Sequence, residues 1–159
     1  MRLESPAFQD GEWMPRIHTG EGRDLSPALH WSEIPTGTRS FVLILDDPDA
    51  PAGLWVHWVL FDIPADVHAL PEGIPPVPRL ENGARHGSCW GVTSFSRRGY
   101  HGPKPPPGGA HRYCFSLTAL DRTLGLPSGA TAPEVQAAMA GHVLASATLQ
   151  ALYAHGGRD

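Results

Sequence analysis

A chain of 159 residues with a net charge of −4 and 41% hydrophobic residues has the length of one folded domain, taken here as 1–159, with a core that needs no disulfide staples. Its 12 Lys and Arg side chains, Lys104 being the only lysine, form no basic run, which excludes a nucleic-acid surface. The two cysteines, Cys89 and Cys114, make neither a disulfide framework nor a zinc ligand set, and no stretch approaches the roughly 20 apolar residues of a membrane span.

The opening M-R-L-E-S-P-A-F has no apolar stretch of the signal-peptide kind, so a soluble, cytoplasmic protein is expected. With 18 Gly and 17 Pro the chain is rich in turns, beginning with D-G-E at 10–12 and T-G-E-G-R-D at 19–24. Residues 28–31 read as a short strand. The first strong strand is predicted from Ser40 to Asp47, where β-branched and aromatic residues end at a proline. The second is predicted from Leu54 to Ile63. Period-two alternation puts Trp55, His57, Val59, Phe61 and Ile63 on one face and Val56, Trp58 and Leu60 on the other. Both faces are apolar, so that strand is covered on both sides.

A Pro- and Gly-rich connection follows from 64 to 87, then a short strand predicted near 88–92. The stretch G-Y-H-G-P-K-P-P-P-G-G-A at 99–110 is too rich in Pro and Gly for regular structure. His111 to Leu120 reads as the third strong strand, with Tyr113, Phe115, Leu117 and Ala119 on one face. T-A-P-E at 131–134 is a capping box, and Val135, Met139, His142, Val143, Ser146, Leu149 and Tyr153 recur at helical spacing until Gly156-Gly157. The expected fold is mostly β, a sandwich with one late helix.

The chemistry gathers at strand ends. Asp47 closes the first strong strand in D-P-D-A-P, and His57 lies three residues into the returning strand of W-V-H-W. If sequential strands are neighbours, Asp47 and His57 meet. The carboxylate then orients the ring and favours its charged form. It either turns only the imidazole to an anion or shares a proton with the anion on binding. H-R-Y at 111–113 adds an imidazole and a phenol on one strand face, and the glycines of 99–110 let backbone N–H groups approach a ligand. Trp55 and Trp58 are placed to wall a pocket.

These motifs in order, D-P-D-A-P at 47–51, W-x-H-W at 55–58, G-Y-x-G-P at 99–103 and H-R-Y at 111–113, resemble the phosphatidylethanolamine-binding protein family, also called Raf kinase inhibitor-like proteins. The resemblance to the bacterial and archaeal branch extends through S-P-A-F-x-D-G at 5–11, S-P-A-L-x-W at 26–31, V-H-W-V-L-F-D-I-P at 56–64 and A-M-x-G-H-V-L-A-x-A-x-L at 138–149. It implies a Greek-key β-sandwich with peripheral helices and a small pocket for phosphate or a phosphorylated headgroup. Carried over by motif, the pocket residues are Asp47, Asp49, Ala50, Pro51, Trp55, His57, Gly102, Pro103, His111 and Tyr113. Asp47 would hold His57 and Tyr113, Asp49 would cap the turn, and Tyr153 would correspond to a pocket-lid tyrosine. Many members of that branch have a cysteine where Lys104 stands; here His101 and Lys104 add positive charge at the rim. Homodimers are common in the branch.

The expectation is a non-enzymatic binding protein without cofactor or metal. The alternative is a protein-interaction regulator of the protease- or kinase-inhibitor kind. A remoter alternative is a hydrolase using Cys89, because G-S-C-W at 87–90 echoes part of a cysteine-protease signature. The nine histidines show no H-x-x-x-H or H-E-x-x-H spacing for a metal.

Overall fold

The computed structural model describes residues 1–89 and 97–158. In chain order its strands are β1 (Arg2–Glu4), β2 (Leu29–Ser32), β3 (Ser40–Asp47), β4 (Trp55–Pro64), β5 (Ala69–Leu70), β6 (Arg85–His86), β7 (Ser88–Cys89), β8 (Arg97–Arg98), β9 (His111–Leu120) and β10 (Val143–Tyr153). The helix α1 (Ala132–Met139) precedes β10. The predicted strand near 88–92 is β7 as far as Cys89; its remainder lies outside the described residues.

The central sheet has the order β10-β9-β3-β4-β6, and a smaller sheet has the order β1-β2-β5. β3 lies between β4 and β9, antiparallel to both. Side-chain alternation on β3 divides the core. Phe41, Leu43 and Leu45 join Leu3, Leu29 and Trp31 in the cluster beneath the small sheet. Val42 and Ile44 join Ala132 and Val135 of α1 in the cluster on the other face. Each fully buried Leu or Phe contributes about 1.5–3 kcal/mol of transfer free energy.

The alternation predicted for β4 holds only between two bulges. Leu45 pairs with Trp58 and Asp46 with Val56, so His57 is an extra residue. Phe41 pairs with Ile63 and Leu43 with Leu60, which places a second bulge around Asp62, at φ +53°. Val56, Val59 and Phe61 therefore face α1, while Trp58, Leu60 and Ile63 face the small sheet.

The long terminal helix is a correction. Thr131 caps α1 with both bonds of the capping box, but the helix ends at Met139. Gly141, at φ +82°, turns the chain into β10, which pairs with β9 from Val143 opposite Leu120 to Tyr153 opposite His111. Leu149, Ala151 and Tyr153 are buried at strand spacing. Pairing along the whole of β9 overrides the helix-forming Ala, Leu and Gln of this segment.

Candidate functional site

The ends of β3, β4 and β9 meet where the 48–54 turn crosses the 101–106 loop. Asp47, 3% exposed, ends β3. Its Oδ1 accepts the Asp49 N–H at 2.8 Å, which tightens the D-P-D turn. Its Oδ2 accepts the His111 Nδ1–H at 2.7 Å. Burial first, then Asp47, pushes the Tyr113 phenol well up, so it stays protonated. The expected Asp47–His57 bond is therefore replaced by Asp47–His111. The register explains this: Asp46 lies opposite Cys114, so the start of β9 runs beside Asp47.

The bulge turns His57 away from Asp47's oxygens and toward the loop. Its Nδ1–H donates to the His101 carbonyl at 2.6 Å, while the His101 N–H donates to the His57 carbonyl at 3.1 Å. A carbonyl only accepts, so the proton on Nδ1 is assigned by its partner. The ring is 7% exposed, and burial lowers its pKa to about 4 despite the bond to His101 and the charge of Asp47. His57 is neutral at pH 7, the reverse of the expected upward shift. Its ring meets Tyr113 edge-on at 5.4 Å, and His111 stacks over the same phenol at 6.3 Å.

The loop is fastened from behind. Gly102 N–H donates to Asp24 Oδ1 at 2.8 Å, Gly20 N–H donates to the Pro103 carbonyl at 2.8 Å, and Tyr100 O–H donates to the His18 carbonyl at 2.6 Å. A Cβ on Gly102 would lie 2.2 Å from the His18 oxygen, so only glycine fits there.

These elements enclose a cavity of about 340 Å³. Asp47, His57, His111 and Tyr113 supply its polar groups, and Ala50, Pro51, Trp55 and Gly102 line it further. Two carried-over residues do not line it. Asp49 turns to Arg112, taking its backbone N–H, Nε–H and Nη2–H at 2.8–2.9 Å, and the guanidinium holds the carboxyl well below the usual range. Pro103 is buried with its carbonyl on Gly20. Tyr153 is on β10, not on a helix, and donates to Glu21 Oε1 at 2.7 Å outside the cavity. The candidate set omitted Ala52, Pro105 and Pro106, which also line it; Lys104, expected at the rim, lines it too, and His101, also expected there, does not. The apolar P-P run after Lys104 was the available signal for a wall. Cys89 is 1% exposed, donates to the Gly99 carbonyl, and lies outside the cavity.

A family profile described as phosphatidylethanolamine-binding protein matches residues 4–154. A UPF0098 protein of Aquifex aeolicus is 45% identical over 155 residues, covering 96% of this chain and 88% of the relative. The UPF0098 protein YbhB of Escherichia coli is 37% identical, covering 96% and 99%. Among solved structures, a phosphatidylethanolamine-binding protein homolog from Chlamydia trachomatis superposes with a TM-score of 0.83 at 34% identity, covering 99% of this chain and 97% of that one. Escherichia coli YbcL, a member of the mammalian family, superposes with a TM-score of 0.85 at 32% identity, covering 96% and 97%. The chain belongs to the phosphatidylethanolamine-binding protein family. Among the described residues no helix is long and apolar enough to cross a membrane.

Proposed function

We propose that this chain is a non-enzymatic binding protein whose pocket takes a small anion of the phosphate type, free or as a headgroup. The observation that carries this reading is the pocket itself. Rigidly bonded polar groups form its floor, apolar Trp55, Pro51, Pro105 and Pro106 form its walls, and Lys104 supplies a cation. Among the described residues the lining contains no Ser, Thr or Cys, which favours holding a ligand over forming a covalent intermediate.

Imidazole NMR signals followed during titration with inorganic phosphate and O-phosphorylethanolamine at pH 6 test the reading. Saturable shifts of His57 and His111 are expected. Lys104→Ala and Tyr113→Phe each weaken binding by roughly tenfold, the equivalent of about 1.4 kcal/mol. Unshifted imidazoles up to roughly 50 mM ligand, weaker than any millimolar affinity, would overturn it.

A further inference from the structure

The proton pattern of the pocket floor is already committed. His111 spends its Nδ1–H on Asp47, and His57 spends its Nδ1–H on the His101 carbonyl. In their neutral forms both imidazoles then carry a lone pair on Nε2, and no described residue bonds either atom. A fully ionised phosphate also presents only acceptors. Acceptor against acceptor, above a buried carboxylate, is repulsive.

We infer that the pocket binds its oxyanion together with one proton, held between His111 Nε2 and a ligand oxygen. This deepens the phosphate reading and rests on it. His111 is the better seat than His57. Its Nδ1–H points at a carboxylate, whereas that of His57 points at a neutral carbonyl in a more buried position. The groups around His111 are Asp47 from β3, His57 from β4, Tyr113 beside it on β9, Tyr153 opposite it on β10, Lys104 across the cavity, and the Asp49–Arg112 ion pair at the turn. Among the described residues Lys104 is the one cation of the lining that needs no proton taken up, and it sits on the exposed side. Phosphate monoesters, whose second ionisation falls near pH 6, bring the proton themselves below that pH. Above it the complex must draw one from solvent.

Calorimetric titration of the intact chain with methyl phosphate at pH 7.5, in two buffers of different ionisation enthalpy, counts that proton. Uptake near one per site is expected, with affinity falling about tenfold per pH unit between pH 7 and 8.5. Sulfate carries no proton at these pH values. If it binds with the same uptake, the proton resides on the imidazole; if only the phosphate ester binds with uptake, the proton stays on the ligand oxygen, and either result supports the inference. Binding of methyl phosphate without proton uptake overturns it and leaves the anion pocket standing. Binding of neither anion from pH 5.5 to 8.5 overturns both. Asp47→Asn offers Nδ1 an amide donor, which frees the neutral ring to carry its proton on Nε2. Uptake should fall below half and the pH slope should flatten; undiminished uptake would remove His111 from the assignment.

Discussion

His57 and His86 are both buried as neutral rings. His86 accepts the Trp58 indole N–H on Nε2 at 3.0 Å and donates from Nδ1 to the Val77 carbonyl at 2.7 Å, and burial lowers its pKa. Neither ring can be protonated without loss. His57 titrates near 6.5 when unfolded and near 4 when folded. Between those values the unfolded chain binds more protons, so stability is fully present above pH 6.5 and drains away as pH falls toward 4. The single-site loss is about 3 kcal/mol. Urea unfolding at pH 7.5 and 4.5 should show a larger drop for wild type than for His57→Gln; equal drops would mean the ring is not neutral by burial. At this scale the residue types of the pocket were legible in D-P-D-A-P, W-x-H and H-R-Y. Which carboxylate holds which ring was not. One extra residue at His57 re-aims that side chain, and a bulge leaves no mark in hydrophobic alternation until the partner strand is known.

Loops, more than strands, shape the cavity. The 101–106 segment has no regular structure of its own and takes its position from the 16–24 segment through Asp24, Gly20 and the His18 carbonyl. Gly102→Ala forces those two segments apart. It should lower stability by about 1–3 kcal/mol, as overpacking does, and weaken phosphate binding in the same protein. Thermal unfolding and an anion titration of one preparation would show both effects, and unchanged values in both would refute this fastening. The strands β3 and β9 were readable to their last residues, β3 as a β-branched and aromatic run stopped by Pro48 and β9 by the period-two spacing of its apolar residues. β10 was not. Its Ala, Leu and Gln fit a helix, and V-L-A-S-A-T becomes a strand because β9 offers a partner along its length. Gly141 two residues after Met139 was the local sign that the helix had ended.

Across the molecule, the early and late parts of the chain close on one another beside the pocket. Glu21 accepts from Tyr153 O–H and from Gly156 N–H and faces Arg16 and His155, while Arg16 donates to the Gly156 carbonyl. These partners, the Tyr153 hydroxyl foremost, lower the Glu21 pKa. The adjoining Gly20 holds the Pro103 carbonyl and packs against Lys104, so the terminal tail is tied to the pocket wall through two residues. Glu21→Gln should accelerate hydrogen exchange at Gly156 and around 101–104 while leaving β3 and β9 protected. Protection unchanged at both places would show that the tie carries no stability. The bulge in β4 has one more consequence. It sets a core indole, Trp58, directly after the pocket's His57, with Tyr100 of the same loop against it at 5.4 Å. With its indole N–H held by His86, Trp58 is mounted on the same backbone as the His57 ring; under the anion-pocket proposal, filling the site is expected to shift tryptophan emission, a readout that needs no label.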